Sequence, residues 1–106
     1  MANLLHIEEK DFDEVVKSKD TVLVDFFATW CPPCKMLAPV LEKVAKKVDD
    51  NYLIVKVNVD EAERLAKRFG IMSVPTMVFL YKGEERTRLV GYRQEKDIID
   101  TLTNLD

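Results

Sequence analysis

The sequence predicts an α/β fold, with a central mixed β-sheet of about five strands flanked by about four helices. Three observations point there. The runs Thr21–Phe27 and Tyr52–Val59 are of strand length and almost uninterruptedly apolar, the pattern of strands covered on both faces. Segments of helical spacing alternate with such runs, and strands separated by a helix tend to run parallel. The last two strand-length runs meet across Lys82-Gly83, a hairpin turn that adds antiparallel strands. The resulting order is βαβαβ, then αββα.

Each element has a local reason. Leu4–Ile7 is a short strand, and Asp11–Lys17 a short helix with Phe12, Val15 and Val16 on one face. After the Thr21–Phe27 strand, helical spacing runs from Cys34 to Val48. Leu37, Val40, Leu41, Val44 and Val48 share its inner face, while Lys35, Glu42, Lys43, Lys46 and Lys47 take the other. Pro39 lacks the N–H that would bond the Lys35 carbonyl, which predicts a kink. Beyond the Tyr52–Val59 strand, Asp60 reads as an N-cap, with Glu61 and Glu63 in the first helical turn. Ala62, Leu65, Ala66 and Phe69 form the inner face of that helix, and Gly70 stops it. Thr76–Tyr81 and Thr87–Val90 make the hairpin. Gln94–Leu105 closes the chain as a helix, with Ile98, Ile99, Leu102 and Leu105 inward.

Residues 1–106 fit one domain, without repeats, low-complexity tracts or Gly/Ser linkers. An apolar share of 47% suffices for a modest core, and the 33% charged residues are mixed in sign. The net charge of −3 argues against a nucleic-acid or membrane-surface binder, which would need a basic patch. No run approaches the roughly 20 apolar residues of a membrane span. The segment Met1–Asp20 is acidic and lacks the basic-then-apolar pattern of a secretion signal, so the expected location is cytoplasmic. The chain is expected to act as a monomer. Two cysteines and a single distant histidine, His6, do not fill the four positions of structural zinc, so no metal is expected. His6 itself reads as a surface or strand-edge residue without a role.

The strongest chemical signal is Cys31-Pro32-Pro33-Cys34, a Cys-x-x-Cys between a buried strand and a helix start. Residues three apart on a helix lie roughly 5–6 Å apart at Cβ, near the roughly 3.8 Å of a disulfide, so a small adjustment makes or breaks the bond. So small a loop gives only about 2 kcal/mol of stabilisation, which suits a reversible switch better than a staple. Unpaired N–H groups and the positive end of the helix dipole favour thiolate over thiol. Cys31, nearer the helix start and expected to be the more exposed, is assigned the attack, and Cys34 the resolution of the mixed disulfide. The alternative is two buried cysteines packing as small apolar residues.

Val24-Asp25-Phe26-Phe27-Ala28-Thr29-Trp30-Cys31-Pro32-Pro33-Cys34-Lys35-Met36 resembles the active-site strand and helix start of the thioredoxin family. Pro39 is similar to that family's helix kink and Lys56-Val57-Asn58-Val59-Asp60 to its central strand. Val74-Pro75-Thr76 resembles its cis-proline loop, and Gly83 and Gly91 its late glycines. The resemblance spans essentially the whole chain. It implies a thioredoxin fold and a thiol–disulfide oxidoreductase with no bound cofactor. Electrons would come from a nicotinamide-dependent thioredoxin reductase or a similar dithiol donor and pass to protein disulfides.

Asp25 lies inside an apolar strand, where desolvation raises a carboxyl pKa and makes it a proton acceptor for Cys34. Lys56 is embedded likewise in its own strand, and a merely structural ion pair is the alternative. The resemblance favours proton handling by Asp25, with Lys56 as its tuner. Sequence alone favours a trans bond before Pro75, because only about 5–6% of X–Pro bonds are cis in folded proteins. The resemblance reverses that preference and places the Val74 backbone beside Cys31, ready to pair with an extended substrate. Trp30, Met72, Val74, Pro75 and Tyr92 would form an apolar rim, with Gly91 nearby. For Met72 and Tyr92 ordinary loop packing is the alternative. Lys35 is read as solvated and stays outside the catalytic set.

The chain departs from the family at two places. Pro-Pro replaces the usual Gly-Pro between the cysteines, removing two N–H groups from the turn around Cys31. Pro33 also biases Pro32 away from helical dihedrals, which predicts a later helix start or strain. The family's tryptophan two residues after the buried aspartate is Phe27, which keeps the bulk and loses the indole donor. The unusual dipeptide leaves room for an oxidant, isomerase or glutathione-linked relative. A binding module with an incidental dithiol is a further reading, disfavoured by Asp25, Lys56 and Pro75.

Overall fold

The computed structural model describes residues 1–105. Five strands form one sheet in the order β1-β3-β2-β4-β5: β1 (Asn3–His6), β2 (Thr21–Phe27), β3 (Tyr52–Asn58), β4 (Thr76–Tyr81) and β5 (Glu84–Val90). The helices are α1 (Phe12–Val16, preceded by one 3₁₀ turn), α2 (Pro32–Lys47), α3 (Glu63–Arg68) and α4 (Glu95–Thr103). The arrangement is the mixed, helix-flanked sheet that the family resemblance implied.

Both faces of the sheet are covered, which is why its inner strands carry no polar alternation. On one side Leu23, Ile54, Met77 and Phe79 pack against Leu37, Leu41 and Val44 of α2 and Ile98 and Leu102 of α4. On the other, Val22, Val24, Phe26, Val55 and Val57 meet Phe12 of α1 and Leu65 of α3. Successive strand residues alternate between these cores. Asp25 and Phe27 therefore share the α2 side with Leu23.

Strands β1, β3 and β2 run parallel, and β4–β5 is an antiparallel hairpin. A helix separates β3 from β4, yet β4 runs antiparallel to β2. The six-residue α3 is too short for a full crossover, and the segment 69–75 turns the chain round before β4 begins. Lys82 and Gly83 both have positive φ, 52° and 83°, the signature of a two-residue hairpin turn. That tight turn lets pairing start at Glu84, three residues before the expected strand.

Two further boundaries, both helix starts, differ from expectation. Helix α2 starts at Pro32, with Cys31 as an extended N-cap, rather than later. The first helical positions have no intrahelical use for an N–H, so two prolines are tolerated there. Asp60 does not cap α3, which begins at Glu63 with Ala62 at the cap position. The Asp60 N–H instead bonds Asn58 Oδ1 at 2.9 Å in a turn that delays the helix. A cap arrives from far along the chain, as the Leu65 N–H donates to Glu9 Oε1 at 2.7 Å. At its other end α3 stops as expected. Gly70 has φ 64°, the Ile71 N–H bonds the Ala66 carbonyl, and the Gly70 N–H bonds the Lys67 carbonyl, a Schellman closure.

Candidate active site

The end of β2 delivers Cys31 to the N-terminus of α2, where a disulfide joins it to Cys34 with Cα atoms 5.2 Å apart. Cys31 takes extended dihedrals, as the residue before a proline should. Its Sγ lies 3.2 Å from the Cys34 backbone N–H, which donates to it. Pro32 and Pro33 have no N–H to offer, so Cys34 supplies the first backbone donor of the turn. Among the described residues both cysteines are oxidised.

Cys31 is not the more exposed of the two. The pair are 3% and 4% exposed, sheltered by Ala28, Phe27, Val59 and Val74. Helix start and exposure part company here, because the loops after β2 and before β4 close over the N-cap.

One of those loops brings the Val74 carbonyl oxygen to 3.6 Å from Cys31 Sγ. The Val74–Pro75 bond is cis, as the resemblance and not the bare frequency suggested. Pro75 is buried, and its carbonyl accepts the Gly91 N–H at 2.8 Å. Gly91 has φ 90°, a conformation that favours glycine. Beside the bridge runs a groove of about 180 Å³, lined by Trp30, Val59, Ala66, Ile71, Met72, Ser73 and Val74. Trp30, Met72 and Val74 thus converge on one surface, while Pro75, Gly91 and Tyr92 lie outside its lining. Met72 is 97% exposed, with its thioether almost wholly in solvent.

Trp30 Nε1–H donates to Asp60 Oδ2 at 2.9 Å, which fixes the indole over the groove. The sequence hides that contact, since thirty residues separate the partners and an aspartate after a strand looks like a cap. Val59 and Ala66 were legible only as strand and inner-helix residues, and Ile71 was not singled out. Their place at the strand and helix ends nearest the cysteines is the signal that would have found them.

Asp25, 1% exposed, and Lys56 are in register on adjacent strands, so their side chains point to the same face. Lys56 Nζ lies 3.7 Å from Asp25 Oδ2, an ion pair slightly longer than a hydrogen bond. Among the described residues Asp25 Oδ1 has no hydrogen-bond partner. Burial pushes the carboxyl pKa up to about 6 from an ordinary 3.8, and the Lys56 ammonium only partly offsets that rise. A carboxyl so placed holds or releases a proton near neutrality. Lys56 also sits over the Phe27 ring, 4.8 Å from its centroid. His6, exposed at the sheet edge, is the register partner of Lys56 on β1.

Among the described residues no group of three or more His, Cys, Asp and Glu side chains is placed to hold a metal ion. No helix among them is long and apolar enough to cross a membrane.

A protein-family model described as Thioredoxin matches residues 3–104. A thioredoxin of Rickettsia bellii (strain RML369-C) is 37% identical over 100 residues, covering 93% of this chain and 95% of that one. A bifunctional thioredoxin reductase/thioredoxin of Mycobacterium leprae (strain TN) is 39% identical over 99 residues, covering 90% of this chain and 22% of that protein. Among solved structures, a mutant thioredoxin from Halobacterium salinarum NRC-1 superposes with a TM-score of 0.90 at 35% identity. That match covers 97% of this chain and 90% of the other.

Proposed function

Because the chain belongs to the thioredoxin family, we propose that Cys31 is its attacking nucleophile and Cys34 its resolving thiol. The protein is a thiol–disulfide oxidoreductase with a redox-active Cys31–Cys34 bridge. The observation that carries the division of labour is the Cys34 N–H directed at Cys31 Sγ at 3.2 Å. A donor in that position stabilises charge on Cys31, the sulfur beside the Val74 carbonyl and the groove.

In the reduced protein the Cys31 thiolate attacks one sulfur of a client disulfide. The Cys31–client bond forms, the client bond breaks, and the second client sulfur leaves as thiolate. Asp25 then takes the proton of Cys34. The Cys34 thiolate attacks Cys31 Sγ, closing the protein's own bridge and releasing the first client sulfur. Two electrons have passed to the client. Lys56 keeps the Asp25 charge tolerable once the groove is closed to water. Trp30, Met72, Val74, Pro75, Gly91 and Tyr92 provide the surface for an extended client segment, whose backbone pairs with that of Val74. The active-site sequence Cys31-Pro32-Pro33-Cys34 stands in place of the family's Cys-Gly-Pro-Cys.

Electrons return from a nicotinamide-dependent thioredoxin reductase. The M. leprae relative, a bifunctional thioredoxin reductase/thioredoxin, supports that partnership. The chain acts as one domain over 1–106, as a monomer without bound cofactor or metal, and in the cytoplasm, a compartment kept reducing. A Cys34→Ser variant should accumulate a stable mixed disulfide with a disulfide-bearing client, and a Cys31→Ser variant should not. Mass spectrometry of the trapped species decides it, and trapping through Cys34 in Cys31→Ser would reverse the assignment.

A further inference from the structure

We propose that Phe27 is a positioning residue for the buried ion pair: the face of its ring seats the Lys56 ammonium and holds that cation beside Asp25. A lysine on a sheet normally runs its stem along apolar surface and places its charge in water. Here the Lys56 side chain is only 8% exposed. Two groups keep it inside, the Asp25 carboxylate at 3.7 Å and the Phe27 ring at 4.8 Å from its centroid. Strand alternation and register place the three side chains on one face. Asp25 and Phe27 are two residues apart on β2 and share a face, and Lys56 stands in register with Asp25 on β3. The negative face of an aromatic ring attracts an ammonium, whereas an aliphatic side chain of similar size only covers it.

On the β1 side the ring is backed by His6, perpendicular to Phe27 with centroids 6.0 Å apart. Lys56 from β3 is the titratable group that faces Asp25 directly, with His6 at the β1 edge beyond Phe27 and the two bridged cysteines at the start of α2, after the end of β2. The ring thus links the edge of the sheet to its buried charge. Its relevance to turnover rests on Asp25 being the proton acceptor of Cys34, while the geometry itself does not.

The test is an NMR titration of the Asp25 side-chain carboxyl in the oxidised protein, where the cysteines do not titrate. The His6 imidazole is followed separately in the same samples. Phe27→Leu should raise the Asp25 midpoint by about half a pH unit, roughly a threefold gain in proton affinity, because the cation is no longer held close. Phe27→Tyr, which keeps the ring, should leave it in place. In a Lys56→Met background Phe27→Leu should produce no rise, since the ring acts only through the cation. Phe27→Met serves as a second aliphatic replacement should the leucine variant fold poorly. An unchanged midpoint in the aliphatic variants, or an equal rise in both backgrounds, overturns the proposal. The proton-acceptor role of Asp25 fails on a separate result, an unchanged rate of mixed-disulfide resolution in Asp25→Asn.

Discussion

A carboxyl group 1% exposed, with one oxygen unpartnered, has lost its hydration and regained only one cation. Its folded pKa of about 6 lies above the ordinary 3.8, so the native state binds that proton more tightly than the unfolded chain does. The associated stability is fully present below pH 3.8 and is lost as the pH rises through about 6. At neutral pH the ionised group then costs on the order of 3 kcal/mol. Asp25→Asn should therefore be more stable than the wild type near pH 8, by about 1–3 kcal/mol, with the lower figure reflecting the loss of Lys56's partner. Urea unfolding across pH reads this directly. A variant less stable at pH 8, or a difference that persists below pH 4, contradicts it. Asp25 was legible because an acid in an apolar strand announces itself. Asp60 was misread because its partner Trp30 is distant in sequence, and local rules see only the helix that follows.

Helix starts were the elements least well read, for a common physical reason. Capping can come from any part of the chain, while sequence rules inspect only neighbours. Glu9 reaches α3 from the turn before α1. Glu9→Ala should lower stability by about 1 kcal/mol, seen as a lower urea midpoint, and Glu9→Gln, which keeps an acceptor, should lose less. Equal losses would show that the charge and not the hydrogen bond matters. At α2 the prolines occupy positions where an N–H would be free to point at Cys31. Pro32→Gly adds that donor. It should raise the thiolate fraction of Cys31 at neutral pH roughly twofold, equivalent to about 0.5 kcal/mol. Ultraviolet thiolate titration measures it, and an unchanged or lower fraction rules the effect out. The strands were read closely because burial on two faces writes itself as uninterrupted apolar runs. The reach of β5 was not, since an edge strand of Glu84, Glu85, Arg86, Thr87 and Arg88 carries no such run.

At the scale of the molecule the sheet joins two separate cores, and the redox pair sits where β2 leaves them. Breaking the bridge frees a loop of only a few residues, so the reduced protein should be less stable by about 2 kcal/mol. Against a typical total of about 5–15 kcal/mol that is a measurable fraction. Urea unfolding of both forms at one pH checks it, and a reduced form as stable as the oxidised one refutes it. The parallel half of the sheet and the hairpin were legible from element order. The reversal of β4 was not, because it depends on where segment 69–75 lands and not on what precedes it. That segment is pinned at both ends. Arg88 Nη2 donates to the Phe69 carbonyl at 2.8 Å, and the Gly91 N–H holds the Pro75 carbonyl. A ledge fastened in this way has little freedom left to surrender, so the adaptation falls to whatever docks on it. On the proposed function, bridges on pliant stretches should be opened more readily than those locked inside rigid partners.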